Sequence, residues 1–328
     1  MTTPLSDSTA DLGLPIFDIG AWRRARGEES VRLARDAVRM CQRHAFLYLI
    51  GHGIPQPILD GAFAMARSYF ALPLEEKERI HYGQTGGNSG YIPSMAEKTD
   101  RTTKGDAKEG FATGLRITDV DPALLIARKV TTPNLWPENP PGFRPIVEGM
   151  LEAMRGVAAQ VLAVTAEGLG GSPAFFADKV DRPLATLRLY RYPSQDPADD
   201  VSVGIGRHTD MECMSLLAQD DVGGLEVVSP GGGWRAATPL PGTLVLIVGE
   251  QLARWTNGML KPTPHRVINR TGRERYSMPF FFTTNVDAPI GVIEGLLGPG
   301  EAPRYEPILA GEYVMQRLHQ VYAEKPAA

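Results

Sequence analysis

Apolar residues recur along this chain with two different periods, and the change of period divides it. Between residues 29 and 44, Val31, Leu33, Ala34, Ala37, Val38 and Cys41 fall at helical spacing and mark one apolar stripe. Residues 56–71 are amphipathic in the same way, and Pro73 with Glu75 and Glu76 reads as the first turn of a further short helix. The clearest helix is 144–169, with Val147, Met150, Leu151, Met154, Val157, Ala158, Val161, Leu162 and Thr165 on its buried face and Gly168, Gly170 and Gly171 at its end. Two strands interrupt this helical half, one within Leu14–Ile19 and one at Phe46–Ile50, where Gly51-His52-Gly53 stops it. Residues 83–115 are rich in Gly, Thr, Lys and Asp without sustained periodicity. They read as a long loop that carries at most a short strand and serves as a candidate lid.

From residue 184 onward the spacing shortens. Strands are predicted near 184–192, 203–208, 213–218, 224–229, 233–238, 243–248, 264–270 and 274–284, with Gly231-Gly232-Gly233 closing a tight hairpin. Eight short strands separated by turns predict a sandwich or jelly roll. A last helix is expected over 311–323. No linker separates helices from strands, so both are expected to form one unit.

Composition narrows the function classes. The 328 residues carry 34 Lys plus Arg and 38 Asp plus Glu, a net charge of −4, which argues against a general nucleic-acid binder. No apolar run is long enough to cross a bilayer, and the first thirteen residues lack the basic end and apolar stretch of a secretion signal, so a cytoplasmic protein with no membrane partner is expected. Cys41 and Cys213 are too few for a disulfide framework, and without a CxxC pair there is no zinc ribbon. Oligomeric state leaves no mark on the sequence.

Chemistry is concentrated in two stretches. In Gly206-Arg207-His208-Thr209-Asp210, the histidine and the aspartate are two apart and share one side of a strand. His265 opens a later strand, and two imidazoles with one carboxylate make the facial triad of non-haem iron(II) sites. An isolated His-x-Asp is more often a surface or structural pair. Ten residues after His265 come Arg275 and Ser277, again two apart on one strand face. An inward arginine needs an anion, which is either a protein acid or a bound carboxylate gripped by guanidinium and hydroxyl together.

These residues sit within a longer set of motifs. It runs through Pro15-Ile16-Phe17-Asp18-Ile19, Tyr48-Leu49-Ile50-Gly51-His52-Gly53-Ile54, Phe70-Ala71-Leu72-Pro73, Gly90-Tyr91, Lys108-Glu109-Gly110-Phe111 and Asn134-Leu135-Trp136-Pro137. It continues through Leu187-Arg188-Leu189-Tyr190-Arg191-Tyr192-Pro193, His208-Thr209-Asp210, Trp255-Thr256-Asn257-Gly258, His265-Arg266-Val267 and Arg275-Tyr276-Ser277. With this set, residues 14–290, nearly the whole chain, resemble the iron(II)/2-oxoglutarate-dependent dioxygenases, in the branch like isopenicillin N synthase and the plant biosynthetic enzymes.

The resemblance implies a mainly β fold with flanking helices, built on a double-stranded β-helix (jelly-roll) core. It divides one integrated domain into an N-terminal region 1–120, a helical spine 121–180, the oxygenase core 181–290 and a C-terminal segment 291–328. It implies that His208, Asp210 and His265 hold Fe(II), and that Arg275 and Ser277, helped by Tyr192, hold the far carboxylate of 2-oxoglutarate. O2 is the oxidant and ascorbate an accessory reductant. The expected reaction oxidises a small metabolite of secondary metabolism by hydroxylation, desaturation or ring closure, with release of succinate and CO2. Two departures stand out. Tyr190 replaces a frequent Asn, so contacts near the cosubstrate are expected to differ, and Glu250 replaces a frequent Asp, which is expected to matter little. Tyr91, Met211 and Phe282 are the candidates for the substrate wall, with core packing as the competing role. An iron oxidase that uses no 2-oxoglutarate, as in isopenicillin N synthase, and a catalytically silent ligand-binding protein on the same fold are the alternatives.

Overall fold

The structure, a computed structural model, describes residues 14–322 apart from 45, 86–88, 101, 118, 196–202, 230 and 294. The first thirteen residues, read above as carrying no secretion signal, lie outside the described residues. In chain order the helical half contains β1 (Ile16–Asp18), α1 (Ile19–Arg24), α2 (Glu28–His44), β2 (Phe46–Ile50), α3 (Gln56–Phe70), α4 (Leu74–Glu78), β3 (Gly90–Ile92), β4 (Glu109–Gly114), α5 (Ala127–Thr131) and α6 (Phe143–Gly168). The strand-rich half contains β5 (Pro183–Tyr192), β6 (Ile205–His208), β7 (Met214–Gln219), β8 (Leu225–Val228), β9 (Trp234–Ala236), β10 (Leu244–Val248), α7 (Glu250–Trp255), β11 (His265–Val267), β12 (Arg275–Asn285), β13 (Pro289–Ile290), β14 (Ile308–Leu309) and α8 (Ala310–Tyr322).

Two sheets make the core of a jelly roll. The larger has eight strands in the order β1-β2-β10-β7-β12-β5-β4-β3, and the smaller has four in the order β6-β11-β8-β9. Apolar residues of both fill the space between them, among them Tyr48, Leu217, Val245 and Ile247 from the larger sheet and Ile205, Leu225, Val227 and Val267 from the smaller. The opposite face of the larger sheet is covered by α2, α3 and α6, whose apolar stripes join Leu187, Leu216, Phe280 and Phe282 in the main core. A strand buried on both faces reads as a near-continuous apolar run, and β10 (Leu-Val-Leu-Ile-Val) is one.

The stretch 83–115 departs from the loop expected there. It supplies two strands, β3 and β4, that extend the larger sheet beyond β5. Gly90, Gly110 and Gly114 weaken their strand signal, and each is needed for close approach. A Cβ on Gly90 would lie 2.2 Å from the Ile80 carbonyl oxygen, and one on Gly110 would lie 3.0 Å from the Tyr190 ring. Among the described residues no helix is long and apolar enough to cross a membrane.

Candidate metal and cosubstrate site

His208 and His265 are brought together by strand register. β6 and β11 run antiparallel with these two residues directly opposite, which sets their ring centroids 4.1 Å apart. Asp210 lies just past the end of β6, so strand alternation alone does not aim it. The chain turns there, and the Asp210 carbonyl accepts from the Glu250 N–H at the start of α7 at 2.9 Å. Its carboxylate Oδ1 comes 3.5 Å from His208 Nε2 and 3.7 Å from His265 Nε2. The three ligand atoms lie within 4.8 Å of one another.

The donor set fits a divalent metal. Each histidine places Nδ1 against a backbone carbonyl, His208 on Gly206 at 2.8 Å and His265 on Thr263 at 2.9 Å, which directs both Nε2 atoms at the shared point. Burial and the neighbouring His208 push the His265 imidazole down to about 4, so it is neutral, the form that ligates. Burial alone would raise the Asp210 carboxyl. The two imidazoles and the Ser215 hydroxyl, which donates to Oδ2, outweigh burial and hold it well below the usual carboxylate range.

Arg275 lies in the same cavity and is 0% exposed. Its Nη1 donates to Ser277 Oγ at 3.1 Å and its Nη2 to Gln219 Oε1 at 3.3 Å, while the guanidinium sits 4.7 Å over the Tyr192 ring. No carboxylate forms an ion pair with it among the described residues, and its Nε has no acceptor. A buried cation bonded to a hydroxyl and an amide, with no acid in contact among the described residues, is suited to an organic carboxylate. Among the described residues, Arg275 does not make the structural ion pair that was the alternative.

The cavity has a volume of about 390 Å³ and reaches from Arg275 past the histidine–aspartate cluster to α5 and α8. Sequence comparison agrees with this geometry. Residues 184–284 match the 2OG-Fe(II) oxygenase superfamily, and residues 14–139 match the N-terminal region described as that of a non-haem dioxygenase in morphine synthesis. A 2-oxoglutarate-Fe(II) type oxidoreductase, hxnY of Emericella nidulans, is 34% identical over 95% of this chain and 91% of its own. The chain belongs to the 2OG-Fe(II) oxygenase superfamily. It is an oxidoreductase, a non-haem iron dioxygenase that uses Fe(II), 2-oxoglutarate and O2. A homoarginine-6-hydroxylase of rice (Oryza sativa subsp. japonica) is 32% identical over 85% of this chain and 86% of that enzyme. Among solved structures, a full-length Neurospora crassa protein crystallised in complex with alpha-KG superimposes with a TM-score of 0.84 at 29% identity, covering 94% of this chain and 96% of that one.

Alternation along β12 sorts the remaining candidates of this oxygenase. Arg275, Ser277, Pro279 and Phe281 line the cavity, whereas Tyr276, Met278, Phe280 and Phe282 belong to the core shared with the helices. Phe282 is therefore a core residue, and Phe281 takes the place expected of it. Parity with Arg275 carried this information in the sequence itself. Tyr91 is not on a lid. It lies in β3, is 2% exposed and donates its hydroxyl to Glu109 at 2.8 Å, outside the cavity lining. Met211 and Tyr192 both line the cavity.

Two departures from the family pattern have structural consequences. The Tyr190 hydroxyl accepts from Arg188 Nη1 at 2.8 Å, and its ring lies 4.9 Å from the Lys108 ammonium, so the residue braces the cavity wall away from Arg275. Glu250, expected to matter little, ties two elements together. Its carboxylate accepts from Thr209 Oγ1 at 2.6 Å, beside Asp210, and from Tyr313 Oη at 2.6 Å, and it pairs with Arg317 at 2.8 Å. The longer arm of Glu250 thereby anchors α8, which contributes Val314, Arg317 and Leu318 to the cavity. No motif marks Lys129 or Glu212 as cavity residues, whereas Arg188 stands in a quoted motif and shares strand parity with the cavity residues Tyr190 and Tyr192. The Trp255-Thr256-Asn257-Gly258 segment ends α7, with Thr256 Oγ1 donating to the Leu252 carbonyl and Asn257 bridging to Glu301 and Arg304.

Proposed function

We propose that this oxygenase oxidises a small metabolite at an Fe(II) held by His208, Asp210 and His265, with 2-oxoglutarate anchored by Arg275 and Ser277 and flanked by Tyr192. The observation that carries the reading is Arg275, a buried guanidinium with no acid of its own among the described residues, which opens into the same cavity as the histidine–aspartate cluster. When bound, the metal with 2-oxoglutarate and O2 supplies the oxidant for an unactivated C–H bond, with release of succinate and CO2. The protein's own residues supply placement. Arg275 and Ser277 fix the cosubstrate's far carboxylate, while Leu217, Ile247 and Val267 keep water from its flank. Met211 and Phe281 border the space left for substrate, and position there decides which hydrogen is removed. No separate general base is assigned.

The resemblance to the isopenicillin N synthase-like and plant biosynthetic branch supports a role in secondary metabolism, in the cytoplasm, with hydroxylation, desaturation or ring closure as the outcome. The Neurospora crassa protein has also been solved with alpha-KG and thymine, which supports a substrate of small size here too. The test is anaerobic assembly with Fe(II) and 2-oxoglutarate, followed by O2. A weak visible absorption band before O2 and succinate after it are expected, and His208→Ala and Asp210→Ala should abolish both while remaining folded. Oxygen uptake without succinate would assign the chain to the oxidases that use no 2-oxoglutarate. Turnover retained in both variants would remove the metal assignment. Mass spectrometry of products from a metabolite screen, read for gain of one oxygen or loss of two hydrogens, then identifies the reaction.

A further inference from the structure

The two histidines of the metal site are held in place by different means. Each gives its Nδ1 hydrogen to a backbone carbonyl, His265 to Thr263 and His208 to Gly206. Thr263 is itself tied to the larger sheet, since its N–H donates to the Val248 carbonyl at 3.0 Å. Gly206 lies in β6, which pairs with β11 on one side and is the edge of the smaller sheet among the described residues. The outer side of β6 is met by the stretch between β3 and β4. There the Ala107 N–H donates to the Val203 carbonyl at 2.9 Å, and the Gly206 N–H donates to Asp106 Oδ1 at 3.2 Å. A carboxylate thus continues the pairing that the backbone begins. The approach is close. A Cβ on Gly206 would lie 2.2 Å from Asp100 Cβ and 2.9 Å from Asp100 N, so the strand needs a glycine where this stretch crosses it.

Asp106 is 1% exposed and gathers more donors than charge balance requires. Besides Gly206 it accepts from the Thr99 N–H at 3.4 Å, from the Thr99 hydroxyl and from Lys108 Nζ at 3.2 Å. Lys108 also has Glu97 at 2.8 Å, so its charge is answered without Asp106. We propose that Asp106 is a positioning residue of the metal site: by holding the Gly206 N–H it fixes the carbonyl that orients the His208 imidazole, and so keeps Nε2 aimed at Asp210 and His265. An edge strand without a partner opens more readily than a paired one, and an imidazole whose carbonyl shifts loses both its tautomer and its direction. Through Thr99 the same carboxylate seats the stretch that brings Glu97, Lys98 and Thr99 to the cavity lining. Asp106 does not itself line the cavity and acts on His208 through Gly206. This role rests on the proposed function, since it takes His208 as a metal ligand.

The experiment titrates Co(II), as a stand-in for Fe(II), into metal-free full-length protein and follows binding by calorimetry. Asp106→Asn keeps an oxygen for the Gly206 N–H and loses the charge facing Lys108, whereas Asp106→Ala loses both. Asp106→Ala is expected to weaken Co(II) binding about tenfold or more, and Asp106→Asn by no more than about threefold. Both variants should melt below the wild type, so that affinity and stability come apart. Unchanged affinity in Asp106→Ala, or an equal loss in the two variants, would overturn the proposal. Wild-type protein that binds no Co(II) would instead overturn the metal reading, and this role with it. A second measurement needs no variant. Proton-exchange and ¹⁵N spectra of the metal-free wild type, taken where the imidazoles are neutral, should show a protected Gly206 amide and His208 in its Nδ1–H tautomer alone. Should Asp106→Ala fail to fold, these spectra decide: a Gly206 amide that exchanges like a loop amide, or a His208 divided between tautomers, overturns the role of Asp106.

Discussion

Lys77 and Arg275 are both cations buried in this protein, and they are handled in opposite ways. Lys77, on α4, donates to Glu109 on β4 at 2.7 Å and to the Phe70 carbonyl at 3.2 Å. Glu109 is further surrounded by Arg191 at 2.7 Å and the Tyr91 hydroxyl at 2.8 Å, so the cluster is closed on itself at the helical side of the larger sheet. Arg275 faces the other way, into the space between the sheets, hydrogen-bonded among the described residues to the neutral Ser277 and Gln219 and with its Nε left without an acceptor. A charge whose partner is built into the fold holds elements together. A charge whose partner is missing reserves that place for a ligand.

The largest expected effect comes from removing the open charge. Arg275→Ala should raise the half-saturating 2-oxoglutarate concentration by on the order of a hundredfold or more, because a desolvated carboxylate loses its charged partner. Its melting temperature should change little, since no internal acid is stranded. A 2-oxoglutarate titration of succinate formation together with a thermal melt checks both, and unchanged half-saturation would end the contrast. On the same strand, Phe282→Ala should cost about 3–5 kcal/mol of stability, as for other buried aromatic truncations. Phe281→Ala should cost far less and should alter the substrate or product profile. Urea denaturation of the two neighbours reads the difference directly, and equal losses would mean that both faces of β12 are packed core.

Removing the closed charge comes next. Lys77→Met should lose about 3 kcal/mol, the range for breaking a buried pair by deleting one partner, with half-saturation by 2-oxoglutarate left within experimental error. A shift in 2-oxoglutarate affinity as large as that of Arg275→Ala would show that the two clusters are not independent. A smaller effect, about 1 kcal/mol, is expected from Glu250→Gln, which keeps the shape but weakens the charged contacts to Arg317 and α8. Hydrogen exchange over 310–320 should rise in this variant and stay unchanged over α6. The mildest test is pH. Hydrogen bonding and attraction to Asp210 overcome burial and raise the His208 imidazole above its ordinary value, so a proton competes with the metal there. Iron affinity should therefore fall as pH drops through the imidazole range and recover as it rises, which an equilibrium metal titration across pH can follow.

Much of the architecture is legible in periodicity, because long apolar stripes and alternating strands each bury one face by the simplest rule available. Helices expected over 29–44, 56–71 and 144–169 appear as Glu28–His44, Gln56–Phe70 and Phe143–Gly168, and each of the eight strands expected from residue 184 has a counterpart. Three short helices escape this rule, α1 at Ile19–Arg24 among them. α5 and α7 have five and six residues, too few for a stripe to repeat, and both carry residues that matter to the cavity, Lys129 and Glu250. β3 and β4 escape it because their glycines are there for close backbone approach and add no apolar signal. At the site, the histidines and Arg275 could be recognised from motif and spacing, and the separation of Phe281 from Phe282 followed from counting by twos along β12.

What the amino-acid order determined by itself is therefore local and periodic: the elements, the family, the chemistry of the metal-binding and cosubstrate-binding residue types, and which side chains share a strand face. The tertiary structure decided which of those faces opens onto a cavity and which charges are already spent. Glu109 answers Lys77 across 32 positions and Glu250 answers Arg317 across 67, while among the described residues no acid forms an ion pair with Arg275. Electrostatic pairing depends on distance through space, and a sequence records only distance along the chain.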